Sequence, residues 1–289
     1  MSCPADVTFH LSVVQAAVLG LTQGISEFLP ISSSGHLILV PWAAGWESVH
    51  CAKEGNKLFD VALHWGTFVG AAAYLRRDLW ALVVAWFRSV ARRSVSSPQE
   101  RLAWFLVLSA VPSAIAGATL EGVITDRLGH PWQIAAFLAV FGVLLWWVDR
   151  TARQATGYED LSRRQVAAMS LAQAAALMPG VSRSGVTITA ARATGVSRDA
   201  AARFSFLMSL PVILGAGLYS ALTLEGGSGG LGAQFAVGIV ASGTSGALAV
   251  FGVLSFLRRH SLGAFMWYRL AAAAAVLLVV ATGLRPATL

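Results

Sequence analysis

Charge is scarce in this chain. Of its 289 residues only 12% are Asp, Glu, Lys or Arg, and just two are lysines, Lys53 and Lys57. A soluble domain of this size carries about twice that charged fraction. Apolar residues make up 56%, the mean hydropathy is +0.66, and several apolar runs approach the roughly 20 residues that cross a bilayer. The class is therefore an all-α polytopic membrane protein. Because the runs are continuous rather than alternating, a membrane β-barrel is excluded. Cysteine is nearly absent too: Cys3 and Cys51 give neither a disulfide framework nor a zinc-type cluster. A basic region before the first apolar run is missing, and Gln23 and Glu27 interrupt that run, which argues against a cleaved signal peptide. The net charge of +7 rests on arginines gathered between apolar runs, so membrane topology accounts for it and no nucleic-acid partner is expected.

Six segments read as full spans: about 60–76, 102–121, 132–149, 204–224, 234–257 and 264–284. Pro112 and Pro211 fall inside spans and are expected to kink them. The stretch 79–92, with Trp and Arg interleaved, reads as an interfacial helix.

Two polar cassettes fit none of these spans. The first runs from Leu21 through Gln23, Glu27, Pro30, Ser32, Ser33, Ser34 and Gly35 to His36. The second runs from Leu171 through Gln173, Pro179, Gly180, Ser182, Arg183 and Ser184 to Gly185. At an offset of 150 positions, Leu21, Gln23, Ser32, Ser34 and Gly35 fall on Leu171, Gln173, Ser182, Ser184 and Gly185. Each cassette is an apolar run, a Pro/Ser turn and a second short apolar run, which describes a re-entrant helical hairpin, about 11–45 and 165–195. Similarity continues at an offset of 145, where Phe59, Gly70, Ala71 and Tyr74 fall on Phe204, Gly215, Ala216 and Tyr219.

The expected order is a hairpin plus three spans in residues 1–150, then the same again in 151–289, within one membrane domain. An odd number of spans per repeat makes the second copy inverted. Arginine placement agrees: six lie in 76–101, four in 150–164, three in 192–203, and Arg258 and Arg259 follow the fifth span, against Arg127 alone in 122–131 and none in 225–233. The arginine-rich set belongs in the cytoplasm, which puts both termini outside and brings the hairpin tips together near the midplane.

The tips carry the chemistry. Each precedes a short helix whose N–H groups and dipole favour an anion. Arg183 adds a planar donor fork suited to phosphate, and Ser32, Ser33, Ser34, Ser182, Ser184 and Thr187 add hydroxyls. Gln23 and Glu27, four apart, share one helix face, and Glu27 needs Arg183, His36 or a divalent ion as partner. Ser33 or Ser34 can attack phosphorus if His36 activates it, and a water activated by His36 fits equally well. Phosphoryl transfer is the expected reaction. Asp60 and His64, four apart, read as a supporting hydrogen-bond pair rather than as catalytic groups.

These residues resemble the undecaprenyl-diphosphate phosphatase family of the bacitracin-resistance type. The resemblance rests on the motif from Gln23 to Glu27 followed by Phe28-Leu29-Pro30-Ile31-Ser32-Ser33-Ser34-Gly35-His36, and on Pro179-Gly180-Val181-Ser182-Arg183-Ser184-Gly185-Val186-Thr187. It implies hydrolysis of undecaprenyl diphosphate to undecaprenyl phosphate and inorganic phosphate, recycling the carrier for cell-wall synthesis and conferring bacitracin resistance. It implies a multi-pass protein of the bacterial plasma membrane, a polyprenyl diphosphate lipid as substrate among membrane lipids, and a site reached from the outer face. It also implies a divalent cation, Mg or Ca, on the acidic motif, where Gln23 is the amide version of the first position and leaves Glu27 as the only carboxylate. The implied roles are Glu27, Ser33, His36 and Arg183 as catalytic residues, with Gln23, Ser32, Ser34, Gly35, Ser182, Ser184 and Thr187 binding substrate. The oligomeric state, a dimer included, is not fixed by the sequence.

Two other readings compete. An acid-phosphatase-type lipid phosphatase needs a histidine where this chain has Thr189. A flippase or transporter would share the inverted-repeat architecture, since fold does not fix function.

Overall fold

The computed structural model describes residues 9–50, 53–153, 155–223 and 232–288; Cys3, Cys51 and most of the glycine-rich loop 225–233 lie outside them. Thirteen helices and no strand occur among the described residues. Among the described residues, five helical stretches are long and apolar enough to cross a membrane: Pro98–Leu120, Pro131–Thr151, Arg198–Ser220, Ala233–Leu257 and Gly263–Ala281. They match five of the six expected spans. The remaining one, expected at 60–76, is the first arm of a pair, Asn56–Tyr74 and Arg76–Arg92, bent by 88°. The bend separates α4 (Lys53–Tyr74) from the amphipathic α5 (Arg76–Arg92), which contains the stretch read as interfacial.

The two cassettes fold as helix–turn–helix units. α1 (Val13–Phe28) and α2 (Ser33–Ala44) pack together, as do α9 (Arg163–Ala175) and α10 (Arg183–Ala193). α1 and α9 start alike. Ser12 Oγ accepts from Gln15 N while Gln15 Oε1 accepts from Ser12 N, and Ser162 and Gln165 repeat this reciprocal cap. α1 ends because Pro30 follows closely and has no N–H to continue the ladder.

Around these units, α1 and α4 both pack on α12 (Ala233–Leu257), and α4 also meets α11 (Arg198–Thr223). α9 packs on α6 (Pro98–Ser109) and α7 (Val111–Arg127), while α8 (Pro131–Thr151) lies against α13 (Gly263–Ala281) and α10. The α1–α12 approach is so close that a Cβ on Gly24 would collide with Ser245 and the Ser242 carbonyl.

Proline acts differently at its two positions. Pro112 stands at the restart after Ala110, where α6 gives way to α7, because its ring and missing N–H suit a first turn. Pro211 lies within α11, which remains one helix through it. Among the counted arginines, Arg192 is fully buried, with Nε 2.9 Å from Asp149 Oδ1. Arg198 shares the same oxygen at 2.8 Å, and Asp149 Oδ2 accepts from Leu262 N, so this carboxylate ties α8, α10, α11 and the start of α13.

Candidate active site

The two turns touch. Ser32 Oγ accepts from Gly180 N at 3.0 Å, and Ser184 Oγ donates to the Leu29 carbonyl at 3.0 Å. Ser32 and Ser182 share an unusual backbone, both with φ of 76°, where L-residues are uncommon. In each, the side chain caps the following helix by accepting from Gly35 N or Gly185 N. Gly180 sits at φ +99° against the Ile134 carbonyl and Phe137, a place that tolerates no Cβ.

Glu27 lies at the centre of this contact. It is the penultimate residue of α1 and is only 7% exposed. Arg183 NH2 reaches its Oε1 at 2.9 Å, across the two halves of the chain. Ser33 Oγ donates to Oε2 at 2.6 Å, and Gln23 Nε2 donates to the same oxygen at 3.1 Å. Arg183 NH1 donates to the Ser205 carbonyl at 3.0 Å, and the guanidinium lies 6.0 Å from the Phe28 ring centre, so its fork is held on several sides. Thr187 is tied to α11 through a 2.6 Å contact with Ser205 Oγ. Ser34 Oγ lies 3.5 Å from Ser32 Oγ, and Ser182 Oγ 3.2 Å from Ser184 Oγ.

His36 is placed apart from Ser33. Its Nδ1 donates to the Ser32 carbonyl at 2.7 Å, which leaves Nε2 to accept from the Tyr268 hydroxyl at 2.8 Å. Both nitrogens thus have partners other than Ser33, whose hydroxyl is on Glu27. His36 and Tyr268 instead line a cleft of about 340 Å³ with Val18, Leu21, Ile25 and Val40. Its lining is mainly apolar, with Thr22, Ser26, His36 and Tyr268 as its polar side chains, the make-up of a site for an amphiphile.

Two residues at the site were not singled out for it by sequence. His64, read with Asp60 as a supporting pair, does bond to that residue, but to its backbone carbonyl, Nδ1 at 2.7 Å. The other nitrogen faces the site, 3.7 Å from Glu27 Oε2. Arg269 is fully buried in α13 and donates to the carbonyls of Pro30, Gly180 and Val181 at 2.9–3.2 Å, with further bonds to Phe137 and Leu138. One guanidinium therefore clamps both turns. The signal for it was present: an arginine deep in an apolar span is costly unless it serves something specific.

The residues offer oxygens to a divalent cation. Gln23 Oε1 is buried without a hydrogen-bond partner, on the amide whose Nε2 donates to the Glu27 carboxylate. Hard cations take such oxygens, and a diphosphate would complete the set. No group of three His, Cys, Asp or Glu side chains suited to a metal occurs among the described residues, so the protein alone supplies an incomplete shell.

Known proteins are similar to this chain through almost their whole length. The chain is 42% identical over 277 residues to an undecaprenyl-diphosphatase of Pelobacter propionicus, covering 95% of this chain and 99% of that one. It is 44% identical to the protein of that name from Geobacter sulfurreducens, with 92% and 98% covered, and 41% identical to that of Pelotomaculum thermopropionicum, with 94% and 98% covered. The family model of the bacitracin resistance protein BacA matches residues 16–275, a stretch containing both turns, Glu27, Arg183 and the Arg269 clamp. The chain belongs to the BacA family.

Proposed function

We propose that the paired turns bind and hydrolyse the diphosphate of undecaprenyl diphosphate, releasing inorganic phosphate and leaving undecaprenyl phosphate. The protein is an undecaprenyl-diphosphatase of the membrane, an activity that recycles the lipid carrier and accounts for the family's link to bacitracin resistance. The observation that carries the site assignment is the bridge from Ser33 through Glu27 to Arg183, a hydroxyl, a proton acceptor and a phosphate-binding cation within one buried contact.

In the reading favoured by this geometry, Ser33 Oγ attacks the terminal phosphorus and passes its proton to Glu27 Oε2. An O–P bond forms, and the P–O bond to undecaprenyl phosphate breaks. Arg183 and the N–H groups opening α2 and α10 steady the phosphoryl oxygens. Tyr268, hydrogen-bonded to His36 Nε2, faces the cleft and is placed with it to pass a proton to the departing lipid phosphate, recovering one from the water that later attacks the phosphoserine. Water then attacks the phosphoserine, the Ser33 O–P bond breaks, and Glu27 returns its proton to Ser33 Oγ as inorganic phosphate leaves. Direct attack by water would leave Ser33 as a binding group. Rapid quench with labelled substrate separates the two: a phosphoserine at position 33 supports the first route, and its absence with Ser33→Ala still turning over sinks it.

Glu27, with Gln23 Oε1, would hold a divalent cation, Mg or Ca in the family. Such an ion supplies neutralisation of phosphoryl charge when bound.

The finer architecture belongs to the same proposal: six spans, the bent α4–α5 pair among them, with two re-entrant hairpins in an inverted repeat of 1–150 and 151–289. Supporting it are the matched caps of α1 and α9, the matched backbone of Ser32 and Ser182, and reciprocal packing, α1 on α12 against α9 on α6 and α7. Arginine placement supports both termini and the mouth of the site on the outer face. A flippase would need no hydroxyl held on a buried carboxylate. Phosphate release by the purified protein, lost in Arg183→Ala, tests hydrolysis against carriage.

A further inference from the structure

His64 has a geometry that hydrogen bonding does not explain. Its Nδ1 is committed to the Asp60 carbonyl at 2.7 Å, one turn earlier on α4. That bond fixes the neutral ring in the tautomer whose Nε2 carries a free lone pair. Nε2 lies 3.7 Å from Glu27 Oε2, beyond hydrogen-bond range. Orienting one ring nitrogen through a backbone carbonyl is how proteins prepare the other nitrogen for a metal.

Beside this pair lies the second anomaly. Gln23 is fully buried, and its Oε1 has no hydrogen-bond partner. A buried amide oxygen left bare costs free energy on the order of 1–3 kcal/mol, so it calls for a partner. The Glu27 carboxylate is also divided in its duties. Oε1 faces Arg183, while Oε2 faces Ser33, Gln23 and His64. The His64 side chain is 37% exposed against 6% for Glu27, so the imidazole stands on the open side.

We propose that His64 Nε2 is a ligand of a divalent cation that it holds together with Glu27 Oε2 and Gln23 Oε1 when the diphosphate is bound. The proposal rests on the phosphatase reading and deepens it. Two donors 3.7 Å apart can be bridged by one ion bonding each at about 2.0–2.2 Å. With one carboxylate, a neutral imidazole and an amide, the protein's share of the shell is weakly charged, and the diphosphate oxygens supply the rest. A nitrogen ligand also changes which ion is preferred: imidazole suits Zn, Cu, Fe and Ni, whereas an all-oxygen set suits Mg, Ca and Mn.

The test uses the full-length protein in detergent with Mn²⁺ and methylenediphosphonate as probes. Pulsed electron paramagnetic resonance reads whether an imidazole nitrogen is bonded to the bound ion. Nitrogen modulation is expected in the unmodified protein and in His36→Gln, and is expected to vanish in His64→Gln, with Mn²⁺ affinity falling about tenfold or more. Failure of Mn²⁺ to bind, binding without nitrogen coupling in the unmodified protein, or coupling that survives in His64→Gln each overturns the proposal. The unmodified protein needs no variant to give the deciding signal, so a misfolded substitution does not blunt the test. Phosphate release from undecaprenyl diphosphate by the same preparation is read separately. Release without nitrogen coupling rejects His64 as a ligand and keeps the phosphatase; no release with any added ion rejects the phosphatase reading itself.

Discussion

Glu27 and Arg183 meet at 2.9 Å although 156 positions of chain separate them. One belongs to the helix leading into the first turn and the other opens the helix after the second. Removing either partner leaves the other charge poorly compensated in a buried place, which is costly. Arg183→Ala is expected to lower kcat/KM for phosphate release by about 10²–10³, the scale of losing a preorganised donor to transition-state charge. Arg183→Lys should restore little, since an ammonium cannot reach Glu27 and the Ser205 carbonyl with the same fork.

Tyr268 offers a finer probe. Its hydroxyl is the partner of His36 Nε2. Tyr268→Phe keeps the ring stacked near His36 but removes that donor. A drop in kcat of about tenfold or more is expected, within the range of one acid–base contribution. An unchanged kcat in a lipid-substrate assay would remove Tyr268 from the mechanism.

Arg269 supports the site without facing the cleft. Arg269→Met preserves much of the volume yet strands the carbonyls of Pro30, Gly180 and Val181. Each unpaired buried carbonyl costs on the order of 1–3 kcal/mol. Thermal unfolding in detergent should start at a clearly lower temperature, and kcat should fall more than KM rises because both turns lose their common tether.

Gly180→Ala tests the turn itself. At φ +99°, with the Ile134 carbonyl 2.8 Å from where a Cβ would stand, alanine is both strained and crowded. A loss of about 1–3 kcal/mol is expected. Gly195→Ala, also at positive φ but with open space around it, should cost less in the same unfolding assay.

Much of this arrangement was legible in the sequence because the signals were local. The apolar runs located five spans, the largest boundary error being six residues at Arg198, and the repeated Ser-containing turns marked where helices break. The bend after α4 was harder to place, since the span and the amphipathic α5 follow one another with scarcely a break and only their relative direction distinguishes them. The site was legible in its members but not in its pairings. Spacing put Gln23 and Glu27 on one face, and they do bond. It did not say that Ser33 would turn toward Glu27 while His36 turned toward Tyr268, because that choice depends on α13, over 230 positions away. His64 was hidden by a plausible local partner at i−4. The carbonyl of Asp60 takes one nitrogen, and only tertiary packing aims the other.

The cleft beside His36 has a kinetic consequence. It is bounded by Val18, Leu21 and Ile25, and these side chains also lie exposed along one face of α1. A lipid lying against that face meets the turns by moving within the plane of the membrane, with its tail never crossing water. Encounter is then two-dimensional. Turnover should follow the mole fraction of substrate in the bilayer or micelle, and diluting the preparation with buffer at fixed lipid composition should leave the rate per enzyme unchanged.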